Sequence, residues 1–318
     1  MRVGHNPARF VEKVAQPADV TVAMVNCIPF LSGYYEQSLD VLKVVLSSIQ
    51  NSTPEPHDLL VFDNHSCREV REYLQSAYEQ GTIQCLVLSD KNIGKIGAWN
   101  FMFGAVRGKY VVFADGDIGF RPGWLRASLD LFETFPNVGM VTARPLRSPM
   151  EYSTATLDWA HLQTPGIYEV GQFLEWDCYW EHARSTGYSE EKAHKEYPKG
   201  RDHRLTFQGK TAFVGATHFQ FMARNDLLRQ IIPLPSEKPM RGERALDVAI
   251  NDLGYLRLLT DQPYVWHMGN TLTDYARVTT PARKRKPLLR WLLWLPFIRR
   301  PLLWLNNRIF RLYFFNVE

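Results

Sequence analysis

Apolar residues alternate between two rhythms over the first 145 positions. Val20-Thr21-Val22-Ala23-Met24-Val25 is a short β-branched run bounded by polar residues, the pattern of a buried strand. Residues 37–49 then carry Leu39, Val41, Leu42, Val44, Val45, Leu46 and Ile49, a spacing that predicts a helix with one face on a sheet. The alternation continues with strands predicted at 59–62, 84–88, 109–114 and 138–142, and helices at 68–78, 96–106 and 124–135. Strands separated by helices of about ten or more residues predict a parallel sheet covered on both faces. Ligands of such sheets bind beyond the carboxyl ends of the strands. Asp63 and Asp115 both fall at that edge.

Beyond residue 150 the rhythm weakens. Residues 150–210 are rich in Tyr, Trp, His and charge, with little periodicity. A strand is predicted at 213–223, a short helix at 244–253 and a strand at 255–259. The 318 residues suffice for one large domain or two subdomains. The net charge of +4 is unevenly placed, because residues 283–318 hold nine Lys/Arg against the single acid Glu318. The rest keeps 28 basic and 32 acidic residues and is mildly acidic. Cys27, Cys67, Cys85 and Cys178 show no C-x-x-C spacing and read as reduced core thiols. Residues 1–19 have no apolar stretch of the signal-peptide kind, so a soluble, cytoplasmic body is expected.

Asp115-Gly116-Asp117 is where chemistry enters. Side chains two apart on a strand share a face. At roughly 4 Å and an effective dielectric of about 20, two carboxylates repel by about 4 kcal/mol. A divalent cation with oxygen ligands, itself holding a diphosphate, would relieve that repulsion. A lone Asp-x-Asp also reads as a solvated turn, so the neighbours decide. They are Asp63-Asn64-His65-Ser66 after one strand, then Asn92-Ile93-Gly94-Lys95-Ile96-Gly97-Ala98-Trp99-Asn100, then the acidic tip itself.

In that order these motifs resemble the nucleotide-sugar half of a GT-A glycosyltransferase, most closely glycosyltransferase family 2. The family shows a D-N-x-S turn, an N-x-G-x-x-x-x-x-N helix start and a D-x-D after the fourth strand. The resemblance is strong over residues 20–145 and weaker over 209–270. It implies a Rossmann-like three-layer α/β/α sandwich with a mostly parallel sheet. Within it, 19–145 would bind the nucleotide sugar and 146–278 would form the acceptor and catalytic half. Residues 1–18 would be an N-terminal extension and 279–318 a basic amphipathic helical tail. By the same resemblance Asp63 binds the base or ribose, although an Asx turn explains it as well. Asn92 and Gly94 shape a helix start whose free N–H groups favour anions, and Lys95 adds charge there or is simply solvated. Asp117 is the implied metal ligand, with Asp115 touching ribose or metal through water.

Gly215 in 213–220 would permit close approach of the donor sugar, whereas His218 reads as a packed strand histidine. The family's Glu-Asp pair is absent. Glu243 and Asp247 stand four apart on one helical face instead. Asp247 is the expected base for the acceptor hydroxyl, Glu243 the second choice, and acids favoured by a helix N-terminus the plain alternative. His267 sits where some GT-A enzymes carry a metal-binding histidine, which suits Mn2+ better than Mg2+; a structural histidine is the rival reading.

The expected function is metal-dependent transfer of a sugar from a nucleoside-diphosphate sugar to a glycan, lipid or polysaccharide-precursor hydroxyl, with the inversion of configuration that the family resemblance implies. Val25-Asn26-Cys27-Ile28-Pro29-Phe30 lacks the Gly-rich, Arg-containing loop of a nucleotidylyltransferase. A catalytically silent, membrane-associated sugar-nucleotide binding or scaffold protein is the alternative. Residues 283–315 interleave Lys/Arg with Trp and Leu, but their longest uncharged apolar run is far shorter than the roughly 20 residues a span needs. They read as an interfacial pair of helices on an anionic membrane surface, placing the protein peripherally on the inner face of the cell membrane. Packing on the body or a dimer contact is the rival reading of the tail. Basic residues set among bulky leucines argue against nucleic acid.

Overall fold

The computed structural model describes residues 5–163, 167–237 and 242–272, together with Pro301, Leu302, Trp304, Leu305 and Arg308. The chain divides into two units, Met1–Leu272 and Thr273–Glu318.

In the first unit the parallel core is β1 (Val20–Asn26), β2 (His57–Asn64), β3 (Cys85–Ser89) and β4 (Tyr110–Asp115). These are linked by α1 (Ser38–Ser52), α2 (Arg68–Glu79) and α3 (Gly94–Ala105). A short β5 (Ile118–Phe120), α4 (Trp124–Thr134) and β6 (Val138–Thr142) follow. The weakly periodic segment folds as α5 (Thr154–His161), β7 (Tyr168–Gly171), α6 (Trp176–Ser185), α7 (Glu190–Glu196) and β8 (Asp202–Phe207). The unit is completed by β9 (Lys210–Val214), β10 (Gln220–Arg224), α8 (Asn225–Ile231), α9 (Arg244–Asp252), β11 (Leu256–Thr260) and β12 (Val265–His267).

Ten strands form one sheet in the order β3-β2-β1-β4-β10-β6-β11-β9-β8-β7, and β12 pairs with β5 separately. The sheet is parallel across β3-β2-β1-β4 and mixed beyond, because β10 runs antiparallel to both β4 and β6. The strand predicted at 213–223 is two strands. β9 ends at Val214, Gly215 turns with φ of +124°, and β10 begins at Gln220 between β4 and β6.

Period-two alternation sorts the sheet's side chains onto two faces. Val20, Val22, Met24, Leu59 and Val61 meet Val41, Leu42, Val45 and Leu46 of α1 and Val70 and Leu74 of α2. Ala23, Val25, Leu60, Phe62 and Phe113 meet Ile96, Trp99 and Phe103 of α3, with Leu246 and Ile250 of α9 beside them. This is the expected three-layer α/β plan. Trp99, fully buried, packs 5.0 Å from Phe113, 5.6 Å from Phe221 and 5.7 Å from Phe103 between ring centres. Such pairs add about 0.5–1.5 kcal/mol each beyond the area they bury. They fix the floor beneath the carboxyl edge of β4.

The predicted tail 283–315 lies outside the described residues except for those five helical positions. Among them Leu302, Trp304 and Leu305 are exposed, and the Arg308 guanidinium lies 5.4 Å from the Trp304 ring centre. No helix among the described residues is long and apolar enough to cross a membrane.

Candidate active site

The carboxyl edge of β4 gathers charged groups from five separate stretches of chain. Asp115 is the last residue of β4, and its N–H donates to the Phe219 carbonyl at 2.9 Å. Lys95, in the first turn of α3, donates from Nζ to Asp115 Oδ2 at 2.7 Å and to the His218 carbonyl at 3.1 Å. Its ammonium also lies 5.1 Å from the Phe113 ring centre and 5.5 Å from that of Trp99. Lys95 is therefore a fixed positive post beside Asp115, not a solvated surface lysine.

Asp117 lies past the end of β4, in the turn to β5, so the strand geometry that would align the two carboxylates stops at Asp115. Each acid meets its own cationic or polar partner instead. The β5–β12 pairing sets His267 opposite Ile118, and the Asp117 carbonyl accepts from Met268 N at 2.9 Å. His267 Nε2 then lies 3.3 Å from Asp117 Oδ2. The Asp117 side chain keeps 31% of its exposure, yet its Oδ1 is sealed from solvent without a partner, as is His267 Nδ1. Burial pushes the Asp117 carboxyl up to about 6; His267 and Lys95 pull against that rise and Asp115 adds to it.

His182 on α6 was absent from the sequence reading. Its ring centre is 6.3 Å from that of His267 and 5.4 Å from that of Phe219, and its Nδ1 is buried and unpartnered. Burial pushes the His182 imidazole down to about 4, helped by the charge of Arg144 and by His267, so the ring is neutral. Arg144 and Arg121 grip the two oxygens of Glu181 at 2.6 and 2.5 Å and moor α6 at this edge. Among the described residues no three His, Cys, Asp or Glu side chains already converge as a metal-binding group. Asp117 and His267 form a pair, with Asp115 to one side.

The remaining predicted residues are placed differently. Asp63 is fully buried, and its oxygens accept from Asn26 Nδ2 at 3.3 Å, Ser66 N at 3.1 Å and Arg71 Nε at 3.2 Å. Its carboxylate closes an Asx turn and is held inside the fold, not at the open strand tip that the sequence predicts. Asn92 Oδ1 accepts from Gly94 N at 2.9 Å and from Asn64 Nδ2 at 3.0 Å. Asn64 Oδ1 takes the Ile93 N–H at 2.9 Å. Two of the helix-start amides, those of Ile93 and Gly94, are thus already bonded, and Gly94, at φ of +74°, serves the turn. A Cβ at Gly215 would meet Ser148 Cβ at 2.6 Å, so the close approach there is Ser148 and not a sugar.

Asp247 is only 3% exposed. Its Oδ1 is held by Arg257 Nη2, and its Oδ2 lies 2.5 Å from His218 Nε2. Arg257 is 1% exposed and also donates to the Tyr152 and Ala216 carbonyls and to Ser153 Oγ. Asp247 is therefore a buried bridge between Arg257 and His218, not the open carboxylate expected. Glu243 stands at the N-cap of α9, half-buried, and its carboxylate has no partner among the described residues.

Set beside known proteins, residues 32–231 match the family model described as Glycosyl transferase family 2. An uncharacterized glycosyltransferase of Nostoc sp. (strain PCC 7120 / SAG 25.82 / UTEX 2576) is 25% identical over 128 residues, 40% of this chain and 39% of that protein. The chain thus spans about two fifths of the length of that curated relative. Among solved structures, S. aureus TarS 1-349 is similar at a TM-score of 0.45 and 13% identity, covering 78% of this chain and 60% of that one. Mannosyltransferase PcManGT from Pyrobaculum calidifontis, in complex with GDP-Man and Mn2+, is similar at a TM-score of 0.47 and 15% identity, covering 85% and 64%. The match to the family model runs over more than half of the sequence and takes in the acidic tip, the Lys95 helix and His218, which lies in the bend between β9 and β10 and not in a strand as expected: the chain belongs to glycosyltransferase family 2.

Proposed function

We propose that this chain transfers a sugar from a nucleoside-diphosphate sugar to an acceptor hydroxyl, with inversion at the anomeric carbon. A divalent cation, Mn2+ or Mg2+, would be held by Asp117 and His267, with Asp115 beside them. The observation that carries this reading is the pair of sealed, unpartnered atoms, Asp117 Oδ1 and His267 Nδ1, on two side chains 3.3 Å apart at a strand's carboxyl edge. A half-buried carboxylate with one sealed oxygen, raised to about 6 beside a second acid, is a group in want of a cation. A mixed carboxylate and imidazole donor set suits Mn2+ better than Mg2+. When bound, the cation offsets negative charge on the departing nucleoside diphosphate.

The chain's own residues supply the rest. Lys95 holds Asp115 in place and presents a second positive charge to the diphosphate. The aromatic segment around Trp176, Tyr179 and Tyr197 forms a wall for the acceptor, its rings packed 5.1–6.0 Å apart. The acceptor hydroxyl must yield a proton at this edge. Asp247 is closed to it, while Glu243 and His218 are open. We further assign residues 283–315 to the anionic inner surface of a membrane, where the acceptor would be a lipid-linked or polysaccharide precursor.

The second reading, a silent sugar-nucleotide binding protein, is favoured by the closure of Asp247. Hydrolysis of UDP-, GDP- and dTDP-sugars with Mn2+ separates the two. The transferase reading expects turnover that Asp117→Ala abolishes. Nucleotide binding without turnover of any donor favours the silent protein.

A further inference from the structure

We infer that His218 takes the proton from the attacking hydroxyl, and that Asp247 is its positioning residue. The inference rests on the transferase reading above and names the base that the reading leaves open. Asp247 Oδ2 lies 2.5 Å from His218 Nε2. An ionised carboxylate only accepts, so Nε2 carries the hydrogen and the Nδ1 lone pair points away from Asp247. His218 keeps 27% of its side-chain exposure, and its Nδ1 is neither sealed nor bonded among the described residues. That is the signature of a base oriented by a third group.

The position is equally specific. Lys95 Nζ bridges the His218 carbonyl and Asp115 Oδ2, which registers the imidazole to the donor edge. The Trp99 ring lies 6.3 Å from the His218 ring and limits its swing. On the far side Arg257, bonded to three further oxygens, holds the Asp247 carboxylate in place. Glu243 has none of this support, and a base must be held within a few tenths of an ångström to act well.

In the step, the acceptor O–H bond breaks and its proton passes to Nδ1. The oxygen forms a bond to the anomeric carbon while the carbon–phosphate oxygen bond breaks. The nucleoside diphosphate leaves with that electron pair. The imidazolium formed is stabilised by Asp247 until it returns its proton to water.

The test uses the full chain, Mn2+ and a panel of UDP-, GDP- and dTDP-sugars, with water as acceptor. His218→Ala is expected to lower kcat on the order of 10²–10⁴-fold. Its calorimetric affinity for the free nucleoside diphosphate should stay within about threefold of wild type. Added imidazole should restore turnover in His218→Ala. It should not do so in Asp247→Asn, where the ring is present but misdirected; a melting curve confirms that this variant folds. Full turnover in His218→Ala, with the wild type active, overturns the dyad alone. So does a loss that imidazole leaves untouched while Glu243→Gln loses as much. A wild type that binds nucleotide but turns over no donor overturns the transferase reading, and the dyad with it.

Discussion

Arg257→Leu removes the guanidinium that neutralises Asp247 in the interior between α9 and β11. Both side chains are almost wholly enclosed, at 2% and 4% exposure, so solvent cannot replace the lost partner. Burial alone lowers the Arg257 pKa, and Asp247 opposes that fall. Breaking such a pair from one side leaves an uncompensated buried charge, at a cost of about 3–5 kcal/mol. Three acceptors, the Tyr152 and Ala216 carbonyls and Ser153 Oγ, also lose their donor. Arg257→Leu should therefore fall at or above the top of that range. The double variant Arg257→Leu/Asp247→Leu removes both charges and should recover at least 2 kcal/mol of the summed single losses, since coupled neighbours deviate from additivity by about 0.5–3 kcal/mol. Urea unfolding of the four proteins, followed by tryptophan fluorescence, gives the cycle. Losses that simply add, or an Arg257→Leu loss below about 1 kcal/mol, refute the buried bridge.

Other consequences follow from the same geometry. Gly119→Ala places a Cβ 2.3 Å from Trp266 Cζ2 and should push β12 away from β5, weakening Mn2+ affinity measured by electron paramagnetic resonance. An unchanged affinity would detach His267 from the metal. Gly215→Ala meets Ser148 at 2.6 Å in a left-handed backbone and should lose about 1–3 kcal/mol of stability, partly recovered by adding Ser148→Gly. In metal-free buffer the Asp117 carboxyl, raised on folding to about 6 from an ordinary 3.8, contributes stability that is full below pH 4 and lost as pH rises through 6. Asp117→Asn should flatten that part of a thermal-unfolding profile.

The first 145 residues were legible because each strand and helix there obeys one period. Val20–Asn26 and Val138–Thr142 are buried along their whole length, and α1, α2 and α4 between them each carry one apolar stripe, while α3 is apolar nearly all round. Residues 210–224 misled because β9 and β10 are both apolar and joined by only five residues, so a chain reversal at Gly215 looks like one strand. Asp115, Asp117, Lys95 and His267 stood out in the sequence because their charges sit at element ends, and the fold brings them to one edge. The internal wiring of that edge was not legible. Asp63, Asn92 and Gly94 occupy motif positions, but their hydrogen-bond partners Asn26, Ser66, Arg71 and Asn64 come from elsewhere in the chain. The burial of Asp247 depends on Arg257, an arginine in a strand that otherwise reads as core. His182 lies in an aperiodic aromatic stretch with no spacing to signal it.

The central claim is a cation shared between Asp117, His267 and a nucleoside diphosphate. Calorimetric titration of UDP and GDP into wild type and Asp117→Asn, each with Mn2+ and with EDTA, measures it directly. Wild type should bind one of the nucleotides with Mn2+ and lose at least about tenfold in affinity with EDTA, while Asp117→Asn should be weak in both. Equal affinity in all four titrations, or no binding in any, would contradict it.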